Sequence, residues 1–205
     1  MFQGQGLRCD RGGRTVFAAL DFAAGPGEAL VLVGPNGSGK SSLLRLMAGL
    51  VRPAAGTLTW GGAPVADDPE AHAGRLRFLG HLDALKPSLT VAENLAQWTG
   101  MARGAAADDA LDRFGLAPLA AMPARLLSAG QRRRLALARV AAVPAPLWLL
   151  DEPTVALDTA SVAAFGGALA AHRAGGGIAV ISTNVALEVP GARFLDVARH
   201  AAVPA

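Results

Sequence analysis

Residues 34–41 are the part of the chain whose types and spacing most directly indicate chemistry. They read Gly-Pro-Asn-Gly-Ser-Gly-Lys-Ser and fit the phosphate-binding pattern G-x-x-x-x-G-K-[ST]. Glycines let successive backbone N–H groups curl around a phosphate. The lysine of this pattern reaches the β- and γ-phosphates of a nucleotide, and the hydroxyl after it ligates Mg²⁺. The predicted phosphate-binding residues are Gly34, Pro35, Asn36, Gly37, Ser38, Gly39, Lys40, Ser41 and Ser42.

A pair of carboxylates, Asp151 and Glu152, follows the apolar run Leu-Trp-Leu-Leu at residues 147–150. In proteins with a phosphate-binding loop, an aspartate at the end of a buried strand helps to hold Mg²⁺. We therefore predict Ser41 and Asp151 as the magnesium ligands. A carboxylate beside the γ-phosphate can act as a general base toward water, and Glu152 is the candidate. The alternative is an ordinary turn at the end of a strand.

These motifs require a fold that brings strand ends together. Residues 28–33 read as a buried strand and residues 42–50 as an amphipathic helix, with the glycine loop between them. Further strands are predicted at residues 57–60, 76–80, 147–150, 177–182 and 194–197, and helices at 130–140 and 161–173. Strands that alternate with helices predict a mainly parallel sheet. Residues 7–22 read as a hairpin, residues 63–70 as a loop and residues 90–126 as an inserted helical part.

Composition narrows the class of protein. The chain has 205 residues and is 52% hydrophobic, yet it has no run of about 18 or more apolar residues that would predict a transmembrane helix. The first residues lack the charged and apolar regions of a secretion signal, so we expect the chain to stay in the cytosol. Cys9 is the only cysteine, which excludes an internal disulfide. The net charge is +3, and no aromatic residues interleave with the cluster Arg132-Arg133-Arg134, so we predict no nucleic-acid binding.

Residues 127–131, Leu-Ser-Ala-Gly-Gln, indicate a resemblance to a known protein family. They resemble the signature of the ATP-binding-cassette (ABC) ATPases, whose usual form has glycine where Ala129 stands. The phosphate loop, the signature and the Asp-Glu pair occur in the family's order, and the resemblance covers essentially the whole chain. It implies an α/β fold of the P-loop NTPase class with a mainly parallel core sheet, an N-terminal antiparallel β portion and an inserted helical subdomain. The implied boundaries are about 1–83 and 139–205 for the core and about 84–138 for the subdomain.

The resemblance also implies that two copies act together. In the family, an ATP-dependent head-to-tail dimer encloses two ATP molecules between the phosphate loop of one copy and the signature of the other. Residues 155–158 resemble the family's D-loop, which crosses the dimer axis, with Val155 replacing the commoner serine. The residues implied to contact ATP bound by a second copy are Ser128, Ala129, Gly130, Gln131 and Asp158.

Three positions depart from the general family pattern. Arg11 stands where an aromatic residue normally stacks on adenine; a guanidinium can also stack on a base, but we expect weaker or less selective binding. His81 stands where a glutamine normally contacts Mg²⁺ and the attacking water; it is a candidate catalytic residue, or else a surface residue. Asn184 stands where the family has its switch histidine and is the third catalytic candidate after Glu152 and His81. An amide offers only a neutral hydrogen bond, so we predict slow hydrolysis.

One branch of the family, the ATPases of heme export in bacterial cytochrome c maturation, is resembled by residues 7–11, 14–17, 20–22, 79–81, 85–95 and 127–134 together. His81 is usual in that branch. The resemblance implies integral-membrane permease subunits of a heme exporter as partners, and peripheral attachment through them to the cytoplasmic face of the inner membrane. Residues 81–98 would hold the groove for a membrane partner, although core packing is the expected role of Leu95 and Trp98.

Other functions stay open at this point. The chain could serve as an ABC ATPase for another solute, which its membrane subunits or neighbouring genes would reveal. It could be an ATPase of the kind that serves iron–sulfur cluster assembly, which would act with a soluble partner. Arg11 and Asn184 also leave open a nucleotide-gated subunit with negligible catalysis.

Overall fold

The computed structural model describes residues 1–100, 107–185 and 187–201. The strands are β1 (Phe2–Arg11), β2 (Arg14–Ala24), β3 (Ala29–Val33), β4 (Ala55–Trp60), β5 (Ala63–Pro64), β6 (Leu76–Leu79), β7 (Leu147–Asp151), β8 (Ile178–Ser182) and β9 (Arg193–Asp196). The helices are α1 (Lys40–Met47), α2 (Pro69–Gly74), α3 (Val91–Thr99), α4 (Ala107–Arg113), α5 (Ala129–Ala142) and α6 (Thr159–Ala174).

A five-stranded sheet forms the core, with the strand order β6-β7-β8-β3-β9 and every neighbouring pair parallel. The register places Asp151, the last residue of β7, beside Ser182, the last residue of β8, and Ser182 beside Leu32 of β3. Because ligands of parallel sheets bind outside the carboxyl ends of the strands, this register gathers the loops that carry the sequence motifs at one edge of the sheet.

A second, antiparallel sheet has the strand order β2-β1-β4-β5. Gly12 and Gly13 form the turn between β1 and β2 with φ angles of 56° and 75°, a conformation that glycine adopts at little cost. Phe2, Phe17 and Leu20 pack from this sheet onto α1 and one face of the parallel sheet. The predicted hairpin is therefore confirmed, and it places Arg11 beside the turn.

The helices α3, α4 and α5 lie between β6 and β7 in the chain and bury their apolar side chains in a second cluster on the opposite face of the core sheet. Leu95, as predicted, is fully buried in this cluster. The expectation of core packing for Trp98 is wrong, because its side chain is 40% exposed and lies against the guanidinium of Arg139, 4.3 Å from the ring centre. A cation over an indole face is a stabilising arrangement at a surface.

The prediction of a loop over residues 63–70 is wrong. The segment contains β5, a single 3₁₀ turn at Val65–Asp67 and the start of α2. The Asp68 carboxylate accepts a hydrogen bond of 2.9 Å from the Ala71 N–H, and Pro69 occupies the first helical position. An aspartate N-cap followed by proline is a recognised helix start, but a helix of six residues has too little periodicity to stand out.

The structure confirms the predicted α/β fold, with its parallel core sheet, its N-terminal antiparallel portion and its inserted helices. The boundaries given above for the core and the helical subdomain remain a prediction. Over the three described ranges, no helix has both the length and the apolar character needed to cross a membrane.

Candidate nucleotide site

The loop between β3 and α1 forms a cradle of backbone groups. Gly34, Gly37 and Gly39 have φ angles of 134°, 82° and 104°, in the region that favours glycine. A Cβ atom on Gly39 would lie only 2.8 Å from a methyl group of Val16, so a larger residue would push the loop away from β2. Helix α1 begins directly after this loop, and the backbone N–H groups of its first turn favour binding of an anion there.

Lys40, the first residue of α1, crosses the cradle and is only 6% exposed. Its ammonium group donates to the carbonyl oxygens of Gly34 at 2.6 Å and Pro35 at 3.1 Å, and to Oδ1 of Asn184 at 2.7 Å. An ammonium group has three protons, so each is matched by one acceptor. The lysine is thus held in place over the loop by two carbonyl groups of the loop itself and by one residue that follows β8.

Asp151 is 2% exposed and lies at the centre of a set of hydroxyl groups. Its Oδ1 accepts hydrogen bonds from Ser41 Oγ at 3.1 Å and from Ser182 Oγ at 2.5 Å. Mg²⁺ in nucleotide sites is usually bound by one or two protein oxygens together with phosphates and water. The adjacent oxygens of Ser41 and Asp151 fit that requirement.

Glu152 adopts a φ angle of 50°, which is uncommon for a residue with a side chain and costs about 1 kcal/mol or more. Two contacts keep it there. Its N–H donates to the carbonyl and hydroxyl oxygens of Ser182 at 3.1 and 3.2 Å, and its Oε2 accepts from the Asn184 N–H at 3.1 Å. The carboxylate is therefore fixed by the segment that also supplies a partner to Lys40.

A single cavity of about 770 Å³ joins these groups. Arg11 and His81, both exposed, line the same cavity as the cradle. The structure thus brings together residues that are far apart in the chain and that the sequence proposed for one site. The predicted site residues that line this cavity are Arg11, Asn36, Gly37, Gly39, Lys40, Ser41, Ser42, His81, Asp151, Glu152 and Asn184.

The signature pentad lies at the start of α5 and is not part of this lining. Ser128 caps the helix: its Oγ accepts from the Gln131 N–H at 3.2 Å, and the Gln131 side chain accepts from the Ser128 N–H at 2.8 Å. A Cβ atom on Gly130 would lie 2.6 Å from the carbonyl oxygen of Ala156, so the helix start rests directly on the segment before α6. Ala129 occupies the first helical position.

Asp158 caps α6 by accepting a hydrogen bond of 2.8 Å from the Ser161 N–H. The side-chain and backbone hydrogen bonds from Ser161 hold the pKa of this carboxyl below its usual value. Asp158 is likewise not part of the cavity lining. The five residues proposed to contact the ATP of a second copy therefore lie outside the cavity of their own chain.

Sequence reasoning missed two residues at this site, Ser182 and Arg133. Ser182 donates a hydrogen bond to Asp151; the available signal was that Ser182 ends one predicted strand and Asp151 directly follows another. Arg133 is 5% exposed and donates to the backbone carbonyls of both Asp151 and Glu152. It had been considered only as a member of a basic cluster, and no local pattern marks an arginine as buried.

Comparisons with known proteins agree with this geometry. The family model described as ABC transporter matches residues 17–155. The chain is 56% identical to the cytochrome c biogenesis ATP-binding export protein CcmA of Rhodospirillum rubrum, with 100% of this chain and 88% of the relative covered. It is 54% identical to the protein of the same name from Rhodopseudomonas palustris, with 91% and 92% covered.

Solved structures share the fold. An ATP-binding protein of a putative ABC transporter from Pyrococcus furiosus superposes with a TM-score of 0.84 at 22% identity, with 98% of this chain and 99% of that chain covered. A dimeric ATP-binding cassette in a post-hydrolysis state, bound to ADP and phosphate, superposes with a TM-score of 0.80 at 25% identity, with 97% and 95% covered.

Proposed function

The chain belongs to the ABC transporter family, and we propose that it is the ATP-binding and ATP-hydrolysing subunit of an export complex for cytochrome c biogenesis. The observation that carries the ATPase proposal is the meeting of Lys40, Ser41, Asp151 and Glu152 in one cavity. The assignment to cytochrome c biogenesis is supported by the two CcmA relatives described above. They are 56% and 54% identical to this chain, which covers 88% and 92% of their length.

The phosphates of ATP would enter the cradle of residues 34–39 and bind its N–H groups. Lys40 would then exchange at least one of its present acceptors for a phosphate oxygen, because its three protons are already matched. Ser38 and Ser42 lie on either side of the Gly39-Lys40 pair and would contact the same phosphates. Ser41 and Asp151 would hold Mg²⁺, which when bound neutralises charge on the phosphates.

Hydrolysis would begin with a water molecule near Glu152. The carboxylate accepts a proton from the water as its oxygen attacks the γ-phosphorus, and the bond from that phosphorus to the bridging oxygen of ADP breaks. Asn184 anchors Glu152 through its backbone N–H, and its side-chain amide, which now accepts from Lys40, is proposed to contact the γ-phosphate. His81 lines the same cavity and is proposed to orient the water.

Arg11 is proposed to stack on the adenine ring. It lies at the end of β1 and lines the cavity together with Val16 of β2. A guanidinium plane can stack on a planar base. The Arg11 side chain is exposed to solvent, so water competes with the base for this contact. We therefore expect modest selection for adenine over other bases.

Two copies are proposed to close head to tail around two ATP molecules. Ser128 and the N–H of Gly130 at the start of α5 would bind the γ-phosphate held by the other copy, since a helix start is an anion site. The position of these residues outside their own cavity supports this arrangement, as does the dimeric state of the solved cassette described above. Ala129, Gln131 and Asp158 would lie at the same interface.

Integral-membrane permease subunits of a heme exporter are the proposed partners, and the chain would attach through them to the cytoplasmic face of the inner membrane. Residues 81–98, which run from the loop after β6 into α3, are proposed to carry the docking groove, and the helical subdomain would comprise about residues 84–138. Leu82, which is 81% exposed, and Trp98 supply apolar surface in this region. The core would comprise residues 1–83 and 139–205.

Genetic complementation tests this function. In the source organism, deletion of the gene is expected to abolish covalently hemylated c-type cytochromes, and the wild-type chain should restore them while Lys40→Ala should not. Normal cytochromes in the deletion strain would contradict the branch. If the chain then co-purified with other membrane subunits, it would serve another solute; recovery with a soluble partner alone would favour iron–sulfur assembly.

A further inference from the structure

Arg133 is a buried cation that the nucleotide site does not use directly. It projects from α5 with its side chain 6% exposed, and it does not line the cavity that holds the cradle. It donates to the carbonyl oxygens of Gly80 at 3.0 Å, Glu152 at 2.7 Å, Pro153 at 3.3 Å and Asp151, and to Oδ1 of Asp83 at 3.0 Å.

These acceptors belong to two segments of different function. Gly80 and Asp83 lie in the loop after β6, which we name the lid loop (residues 80–84). The other three acceptors are the last residue of β7 and the two residues after it, 151–153. The planar fork of an arginine can serve acceptors on two sides at once, and hydrogen bonds from a charged donor are the stronger kind. Arg133 therefore joins the lid loop to the segment that carries Glu152.

The lid loop is also held by a second arginine of α5. Arg139 donates to the carbonyls of Asp83 and Ala84 at 2.7 and 2.8 Å, and its guanidinium lies over Trp98. Burial lowers the pKa of Arg139 to about 10, well above neutral pH, so Arg139 is charged in the working protein. The lid loop is thus pinned to α5, while Leu82 in its middle projects into solvent.

We infer that Arg133 is a positioning residue that transmits displacement of the lid loop to the Glu152 carboxylate. A force on the exposed part of the loop moves Gly80 and Asp83, and the shared guanidinium carries that movement to the carbonyls of residues 151–153. Because Glu152 already sits in an uncommon backbone conformation, small shifts there change the direction of its carboxylate. This inference rests on the proposed function, in which a membrane subunit docks at this loop.

The inference is tested on the purified complex of the chain with its membrane subunits, beside the isolated chain. The measured quantity is the ratio of ATP turnover in the complex to turnover of the isolated chain. Arg133→Gln is expected to lower this ratio about tenfold, the rate equivalent of about one charged hydrogen bond. The KM for ATP should stay within about twofold, because the guanidinium does not face the nucleotide.

Asp83→Ala provides a second, milder variant, since the Asp83 side chain is already 22% exposed. It removes one of the two lid-loop acceptors of Arg133 and keeps the Gly80 carbonyl, and it is expected to lower the same ratio. The double variant should lower this turnover ratio no further than Arg133→Gln alone, because the effects of substitutions within one hydrogen-bond network are not additive. Arg173→Gln is the matched control: Arg173 also donates to two carbonyls, those of Gly27 and Pro190, but at the opposite end of the strands.

The outcomes separate this inference from the proposed function. If the wild-type complex hydrolyses ATP faster than the isolated chain and both variants keep the wild-type ratio, the inference is wrong while the proposed function stands. If Arg133→Gln and Asp83→Ala slow the isolated chain and the complex equally, with lowered unfolding midpoints, Arg133 is merely structural and the inference is also overturned. Absence of turnover in the wild-type complex would instead contradict the proposed function.

Discussion

Oδ1 of Asn184 lies 2.7 Å from Nζ of Lys40 and accepts one of the three hydrogen bonds of that ammonium group. The backbone N–H of the same asparagine donates to Oε2 of Glu152 at 3.1 Å. The residue that stands in place of the family's switch histidine thus connects the phosphate cradle to the candidate base.

Replacing this asparagine by histidine is expected to raise ATP turnover. A protonated imidazole can give a charge-assisted hydrogen bond to the γ-phosphate where the amide gives a neutral one, a difference of about 1–2 kcal/mol. That difference corresponds to about 5- to 30-fold in rate. Steady-state phosphate release by the purified complex measures it, with Asn184→Ala as the variant that removes the side-chain contacts altogether. Equal turnover of the wild type and Asn184→His would contradict the argument.

Lys40→Ala is expected to weaken ATP binding and to reduce hydrolysis by at least about a hundredfold, because it removes from a buried position the cation that is proposed to bind the phosphates. Calorimetric titration of the isolated chain with ATP measures the binding, and phosphate release measures the rate. Lys86→Ala is the natural control, since Lys86 is the only other lysine and is exposed in the described structure. Similar losses in both variants would argue against a specific role for Lys40.

Gly130→Ala tests the signature. The added Cβ would meet the carbonyl oxygen of Ala156 at 2.6 Å, so the start of α5 must shift. We expect ATP affinity of the isolated chain to stay within about twofold and turnover to fall at least about tenfold, since small displacements of positioned groups are costly. Gly166→Ala, within α6 and with open space around the position, should leave turnover unchanged. A wild-type turnover rate for Gly130→Ala would contradict a role of the signature, residues 127–131, in hydrolysis.

Stability is expected to decrease in mild acid because of His72. This side chain is buried; its Nε2 bonds to the Met47 carbonyl at 2.8 Å, and its Nδ1 has no hydrogen-bond partner among the described residues. Burial lowers its pKa below the usual 6.5. The unfolded chain therefore binds a proton as pH falls through 6.5 while the folded chain resists it, and the free energy of unfolding drops by at most about 1.4 kcal/mol per pH unit.

Denaturant unfolding at pH 7.5 and 5.5 measures this effect. His72→Gln should reduce the difference between the two midpoints without removing it, because burial also lowers the pKa of His172. His81→Gln, a change at an exposed position, is the comparison. A pH difference of the same size in the wild type and in His72→Gln would show that His72 is not responsible.

Much of the site was predictable because its residues are local in sequence. The glycine loop between a strand and a helix, and the carboxylates after an apolar strand, are patterns of a few neighbouring residues. The register that sets Asp151 beside Ser182 was not predicted, because a pattern of strands and helices fixes neither the neighbour order nor the pairing of strands. The start of α5 at Ala129 was predicted within one residue, at Gly130, because its signal is also local.

The parts that sequence reasoning missed depend on contacts between distant segments. The three arginines at 132–134 look alike in sequence, yet Arg132 donates to the Leu127 carbonyl, Arg134 to that of Phe114, and Arg133 to two loops that lie about 20 and 50 residues away. Which of them is buried depends on where α5 packs. The hydrogen bond between Lys40 and Asn184 joins residues 144 positions apart. It forms only when β3 and β8, which these residues follow, are paired in the sheet.

The central claim is that ATP is held between two copies of the chain until Glu152 promotes its hydrolysis. Glu152→Gln keeps an oxygen that can accept from the Asn184 N–H but cannot take a proton from water. The mass of this variant in solution, measured by light scattering with MgATP and without nucleotide, tests the claim most directly, with Glu70→Gln at an exposed position as control. We predict two chains with MgATP, one chain without it, and turnover lowered at least about a hundredfold. A variant that binds ATP yet stays a single chain, or that hydrolyses ATP at the wild-type rate, would contradict the account.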